Sequence, residues 1–343
     1  MIIRSKEQII ASLKILALVL LLYGVTAANQ FRRFHQVHLN LNKTQINFDV
    51  PDGKFYVDNW LSPDIIVLVF SPEGQFSRFS KKFLIYDMTT AKREFINTDS
   101  LNEGNNCDNG GVSGANSFAD GVLYFFFECQ KADYINGELS IVRLGDIQNI
   151  ETVFQFPKKF VAHSFTLSPD KKRGILDTSP GLTTNSLYYF NDHQNPQQLF
   201  PNFFRAGSPA WSPNGNQIAF AGSEGIIEPR QNIFSGLPGF NDFLDHPWGL
   251  YITDPKFSDT ELLLSNIIVL RWVQWSPDSR FISFVGEYEG FDGLWLYDVE
   301  SKIPYHIWDY DVGYNWSPSG DQIMVLGRDG NYYILDIPEV INQ

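Results

Sequence analysis

The sequence predicts an all-β protein, a six-bladed β-propeller of four-stranded blades preceded by one N-terminal hydrophobic helix. A dozen residues recur three times, as "WSPNGNQIAFAG" (211–222), "WSPDSRFISFVG" (275–286) and "WSPSGDQIMVLG" (316–327). Each copy is followed by an apolar run closing on Asp: "GLYITD" (249–254), "GLWLYD" (293–298) and "NYYILD" (331–336). Strand-rich units at such a period belong to sheets that bury their faces against their neighbours.

In chain order, Arg4 and Lys6 precede the apolar span "IIASLKILALVLLLYGVTAA" (9–28), whose single charge is Lys14. Read as a signal peptide, 15–23 is the apolar region and 25–27 the small-residue cleavage site. Read as an uncleaved anchor, 9–28 is long enough to cross the hydrocarbon, with Lys14 reaching back to the inner side. Both readings place the chain from about Asn29 outside the cytoplasm, in the periplasm or at the cell surface, secreted or tethered. Residues 29–43 are then a linker and 44–343 the propeller.

The first blade (56–98) carries "LSPDIIVLVF" (61–70), "KFLIYD" (82–87) and "REFINT" (93–98). The second (112–156) is degraded: "SFADGVLYFFFE" (117–128) keeps Asp120-Gly121 without Trp or Pro, and "LSIVRLGD" (139–146) and "ETVFQF" (151–156) follow. The third (162–201) reads "LSPDKKRGILD" (167–177), "NSLYYFND" (185–192) and "QQLFP" (197–201). The fourth (206–266), fifth (270–309) and sixth (312–338) hold the full motif. In them Pro213, Pro277 and Pro318 fix φ at a turn, Trp211, Trp275 and Trp316 are expected between blades, and Asp254, Asp298 and Asp336 end third strands. The sixth unit supplies only three strands, and an open ring would expose strand edges. "TQINFDV" (44–50) is therefore predicted to add its outer strand, fastening one end of the chain to the other.

These units resemble the repeats of TolB-like propellers, a class also found in the N-terminal domains of prolyl-oligopeptidase-type peptidases. The resemblance covers about 60–338 and rests on the Ser-Pro-Asp/Asn/Ser turns and the Tyr/Trp-x-x-Asp strands. It implies the propeller fold. The stretch after Asp336 is too short for the hydrolase domain that accompanies the propeller in those peptidases.

A formal charge of −13 excludes a phosphate-backbone binder, so no nucleic acid partner is expected. Two cysteines, Cys107 and Cys129, are too few for a zinc site with normal ligand spacing and could form one rim disulfide. Six scattered histidines suggest no metal centre, although His163, just before an inner strand, could face the channel. "DYDVGYN" (309–315) offers Asp309 and Asp311 as weak calcium ligands but lacks a closing Glu. No cofactor is expected, with Ca²⁺ as the alternative. "AGSEG" (221–225) lacks the strand-turn-helix setting of a nucleophile elbow, so no catalytic residue is assigned. Asp242, Asp245, Glu287, Glu289 and Asp292 are read as rim charges.

The longest excursion, 223–248, is rich in aromatics. Phe234, Phe240, Phe243 and Trp248, with Phe203 and Phe204 nearby, either form a docking patch or cap the blade. Together these features describe a non-catalytic extracytoplasmic scaffold that binds protein partners at the membrane surface. The alternatives are a funnel-type hydrolase or lyase acting on carbohydrate or peptide, and an accessory subunit of a membrane complex.

Overall fold

The computed structural model describes residues 37–39, 41–49, 54–71, 82–96, 109–117, 122–130, 138–146, 149–155, 162–178, 186–191, 194–224, 247–310 and 313–338. The hydrophobic helix expected over 1–28 lies outside them. Among the described residues no α-helix occurs and every regular element is a strand. Two strands come first: β1 (Val37–His38), within the expected linker, and β2 (Lys43–Ile46), which begins on its last residue and runs into the expected closing strand. Next come β3 (Lys54–Ser62), β4 (Ile65–Ser71), β5 (Lys82–Asp87) and β6 (Arg93–Phe95), a four-stranded antiparallel meander. A second meander is β7 (Asn109–Ser117), β8 (Leu123–Gln130), β9 (Glu138–Asp146) and β10 (Asn149–Gln155). The third is β11 (Ala162–Leu167), β12 (Arg173–Thr178), β13 (Ser186–Asn191) and β14 (Gln194–Gln198).

An eight-stranded sheet follows, built from β15 (Phe203–Trp211), β16 (Ile218–Glu224), β17 (Trp248–Thr253), β18 (Thr260–Trp275), β19 (Phe281–Tyr288), β20 (Phe291–Asp298) and β21 (Ile303–Asp309), with β1 on its far edge. Its 16-residue strand β18 pairs with β17 through Ile267 and with β19 from Ile268 onward. It thus serves as the last strand of one four-stranded unit and the first of the next. The final unit is β22 (Tyr314–Trp316), β23 (Gln322–Leu326) and β24 (Tyr332–Asp336), and β2 pairs antiparallel to β24, Thr44 opposite Ile334. The last sheet therefore takes its outer strand from the N-terminal side of the chain.

The recurrent Ser-Pro motif is a hairpin closed by a side chain. The buried hydroxyls of Ser168, Ser212, Ser276 and Ser317 accept the N–H of Arg173, Gln217, Phe281 and Gln322 at 3.1, 2.9, 2.8 and 3.0 Å. Each serine N–H donates in turn to the carbonyl of the same residue. Three positions past the serine the backbone turns left-handed: Lys171 (φ 62°), Gly215 (78°), Ser279 (64°) and Gly320 (79°). Glycine meets this demand without a Cβ clash, whereas Lys171 does not. Lys171→Gly is therefore expected to stabilise the protein by about 1 kcal/mol, read from urea unfolding midpoints; an unchanged or lower midpoint would contradict this.

The aspartates ending third strands have a second local task. The carboxylate of Asp254 accepts the N–H groups of Ser258 and Asp259 at 2.7 and 2.8 Å. Asp298 accepts those of Glu300 and Ser301 at 2.9 and 3.2 Å and pairs with Arg280 at 2.9 Å. Asp87 does the same for Thr89 and Thr90. Asp336, at the end of β24, accepts instead from the Gln322 amide at 3.0 Å.

Second strands are buried on both faces, and their alternation assigns each side chain to a seam. From β4, Val67 and Val69 pack against Phe125 and Phe127 of the second sheet, while Ile66 and Leu68 pack with Met324 and Tyr332 of the last. From β16, Ile218 and Phe220 meet Ile175 of the third sheet, while Ala219 and Ala221 meet Trp275 and Phe284. Among the described residues six apolar clusters result, each joining two successive units and the last joining the final unit to the first.

First strands touch in the same cyclic order. β3 meets β7, β7 meets β11, β11 meets β15, β15 meets β18, and β22 meets β3. Between β18 and β22, the Gln274 amide donates to the Tyr314 carbonyl at 3.2 Å. Between β22 and β3, the Asn315 amide donates to the Val57 carbonyl at 3.3 Å.

Candidate functional site

The strand β18 is where a regular ladder breaks down most. Beyond Asn266 its buried residues are Ile267, Leu270, Val273 and Trp275, the first three at a period of three rather than two. Two register shifts cause this, between Ile268 and Arg271 and between Arg271 and Gln274. At each the backbone turns left-handed, at Val269 (φ 53°) and Trp272 (φ 53°), and the side chain is turned outward. Left-handed backbone costs a β-branched or bulky residue on the order of 1–3 kcal/mol, so both positions are strained.

Among the described residues, four of the six exposed large apolar side chains belong to this unit or directly follow it: Val269 (38% exposed), Trp272 (45%), Phe291 (41%) and Tyr310 (43%). Topology brings Val269, Phe291 and Tyr310 to one end of the unit, while Trp272 lies further along β18, next to Arg271, which pairs with Val285. Glu287 pairs with Ile268, Tyr288 pairs with Phe291 across the β19–β20 hairpin, and the Tyr310 N–H donates to the Asp292 carbonyl at 2.9 Å. Two of the aromatics carry a guanidinium group, Arg271 at 5.0 Å from the Trp272 ring and Arg328 at 3.6 Å from the Tyr310 ring. Trp, Tyr and Arg are the residues that dominate protein-binding hot spots.

A polar chain fixes Trp272 from behind. Its N–H donates to Ser208 Oγ at 3.3 Å, and the Tyr314 hydroxyl donates to its carbonyl. Ser208 is itself left-handed (φ 50°), at a bulge in β15, and its N–H donates to Asp177 Oδ2 at 2.8 Å. Asp177 is 3% exposed. Burial, against the bonds from the Ser208 amide and the Ser164 hydroxyl, pushes its carboxyl up to about 7.

A cleft of about 530 Å³ continues from Tyr310 and Arg328 along the outside of the seam between β21 and β24, beneath Leu39, Leu41 and Lys43. The Lys43 ammonium lies 5.4 Å from both the Trp308 and the Tyr333 ring centres. The Tyr333 hydroxyl donates to Asp329 at 2.6 Å, and with the Asn331 side chain and N–H it holds that carboxyl down at about 2.

The residues singled out by sequence distribute unevenly. Trp211, Trp275 and Trp316 are buried in successive seams, with Trp275 Nε1 donating to the Ala210 carbonyl at 3.0 Å and Trp316 Nε1 to Ser283 Oγ at 2.8 Å. Pro213, Pro277 and Pro318 follow the turn-closing serines. Trp248, a candidate for the docking patch, is instead a core residue of β17, 9% exposed, with the Arg205 guanidinium 4.2 Å from its ring. It borders Leu250 and Leu264 and contributes no surface.

Asp309 is exposed, its Oδ1 3.9 Å from His306 Nδ1. Asp311, Cys107, Phe234, Phe240 and Phe243 lie outside the described residues. His163 falls at the bulge in β11 beside the Ser164–Asp177 pair, and Cys129 in β8 opposite Gly110; the side chains of both lie outside the description. Among the described residues no group of three or more His, Cys, Asp or Glu could hold a metal ion.

No family model matches the chain, and no curated protein matches its sequence. Solved structures do. A chain of Kuenenia stuttgartiensis hydrazine synthase aligns with 86% of this chain and 98% of its own length, at 11% identity and a TM-score of 0.52. An oligogalacturonate lyase in complex with manganese aligns with 89% of this chain and 98% of its own, at 11% identity and a TM-score of 0.48. TolB from Acinetobacter baumannii aligns with 83% of this chain and 65% of its own, at 14% identity and a TM-score of 0.45. At 11% identity the hydrazine synthase likeness establishes a shared fold and nothing further.

Proposed function

We propose that this chain is a six-bladed propeller acting as a non-catalytic scaffold outside the cytoplasm, tethered or exported through residues 9–28. Its partner is a protein, bound at the end of the fifth blade. The observation that carries this reading is the pair of guanidinium-stacked aromatics, Trp272 with Arg271 and Tyr310 with Arg328, exposed in the unit that also exposes Val269 and Phe291, with Val269, Trp272 and Tyr310 on left-handed backbone. Cyclic packing of six four-stranded units supports the blade count. A surface fixed by sheet packing and by the Ser208 and Tyr314 bonds loses little ordering entropy when a partner docks. Tethering would raise the local concentration of a neighbouring membrane complex. The segment between Glu224 and Trp248, with Phe234, Phe240 and Phe243, leaves and re-enters the preceding blade at the same end and is proposed to border the surface.

The test is a photoreactive benzoylphenylalanine in place of Phe291 in cells making the full chain, with the same residue in place of exposed Leu262 as control. A discrete protein adduct is expected from position 291 and not from 262. Trp272→Gly should abolish the adduct while leaving folding stability unchanged or raised by about 1 kcal/mol, because glycine accepts the left-handed backbone. Equal adducts from both positions would contradict the reading.

A further inference from the structure

Resting on that reading, we infer that the partner presents a cationic, Lys- or Arg-bearing segment with apolar anchors to the end of the fifth blade. The exposed apolar groups are interleaved with carboxylates. Glu287 stands opposite Asp292 in the β19–β20 hairpin, Glu289 occupies its tip, and Asp309 ends β21 immediately before Tyr310. Glu289, Asp292 and Asp309 are exposed and Glu287 is half-buried.

Beside these four carboxylates the aromatics carry two guanidinium groups, Arg271 on the Trp272 ring and Arg328 on the Tyr310 ring. The patch therefore carries an excess of two negative charges, the same sign as the −13 of the whole chain. An apolar centre whose border is net negative is complementary to a partner whose apolar residues are flanked by positive charge. The overall charge would steer such a segment toward the surface over about a Debye length, roughly 8–10 Å.

The same arrangement disfavours other occupants. An anionic bilayer would bring lipid phosphates against Glu289 and Asp292, and exposed Trp and Phe alone do not offset that repulsion. A second copy of this chain would set like charges against like.

The experiment extends the photocross-link at position 291. The joined partner segment is sequenced by mass spectrometry, and the adduct is measured again with Glu289→Lys and Asp292→Lys combined. Both substitutions lie at the exposed hairpin and leave the seams intact, checked by an unchanged unfolding midpoint. An excess of Lys and Arg in the joined segment, with the adduct reduced about tenfold by the charge reversal, is the expected result. An acidic or uncharged segment, or an adduct indifferent to the reversal, overturns the partner class while leaving protein docking in place. No protein adduct from position 291 removes docking itself, and a lipid adduct assigns the surface to a bilayer and overturns both.

Discussion

Trp275→Ala is expected to lower folding stability by about 4 kcal/mol, measured by urea unfolding followed through the remaining tryptophans. The indole is buried between the fourth and fifth units, in contact with the cluster formed by Ala219, Ala221, Ile282 and Phe284. Truncation removes that apolar contact and leaves a cavity that two rigid sheets cannot close. It also deprives the Ala210 carbonyl of its donor across the seam. The contrast with Trp272, three residues earlier on the same strand, makes the test specific. Truncating that exposed side chain should change stability by less than about 1 kcal/mol, since little apolar area leaves the interior. Equal losses at the two positions would mean that the seam assignment is wrong.

Asp177→Asn is expected to make the protein about 2 kcal/mol more stable at pH 8 and to remove most of its pH dependence between about pH 4 and 7. The sign follows from proton linkage. The carboxyl titrates at about 7 when folded and near the ordinary 3.8 when unfolded, so over that interval the folded state holds the extra proton. Stability contributed by this group is therefore greatest below about pH 4, falls as pH rises, and levels off above about 7. A shift of roughly three units sets an upper limit of about 4 kcal/mol, and asparagine forfeits part of the gain because its amide N–H₂ replaces an oxygen in the same buried place. Its remaining oxygen can still accept the Ser208 N–H.

On the acid side the trend reverses. The Asp259 N–H, with those of Lys256 and Ser258, holds the Asp254 carboxyl below its usual range. Burial acts to raise Asp298, but the Arg280 bond and the N–H groups of Ser301 and Glu300 outweigh it and hold that carboxyl low. Their stabilisation is present above the ordinary carboxylate range and is lost as pH falls through the depressed values. Urea unfolding at pH 5 and pH 8 reads the comparison, and parallel pH profiles for the two proteins would contradict it.

The repeat could be read from sequence because its marked residues each perform a local task. Serine closes the hairpin, proline sets its φ, the strand-ending aspartate caps the next turn and tryptophan fills a seam, so each type recurs wherever its task does. Reading failed where geometry substitutes one residue for another. In the first unit a bulge between Trp60 and Ser62 turns Trp60 into the seam with the last sheet, although Leu61 stands in the motif position. The proposed docking surface was hidden for a related reason. "IIVLRWVQW" (267–275) is apolar nearly throughout, and only the two left-handed residues decide that Val269 and Trp272 face outward.

Trp248 misled in the opposite direction, since its place at the edge of a Gly- and Pro-rich excursion concealed that it begins β17. Asp177 carried an ambiguous signal. An aspartate within an apolar strand, "GILDT" (174–178), is an acid that must be paired if the strand is buried on both faces, but the "SPG" (179–181) that follows lets it read as a turn residue.

Closure of the ring is tested most directly by a disulfide between Thr44→Cys on β2 and Ile334→Cys on β24, which stand opposite each other in the ladder. Facing residues of an antiparallel pair have Cα atoms about 4.5–5.5 Å apart, within the reach of a disulfide. Mild oxidation of the full chain should yield one peptide joining positions 44 and 334 on proteolysis without reductant. Free thiols at both positions under conditions that oxidise a pair placed at Ile323 and Leu335, neighbours in the same sheet, would show that the ends are not fastened together.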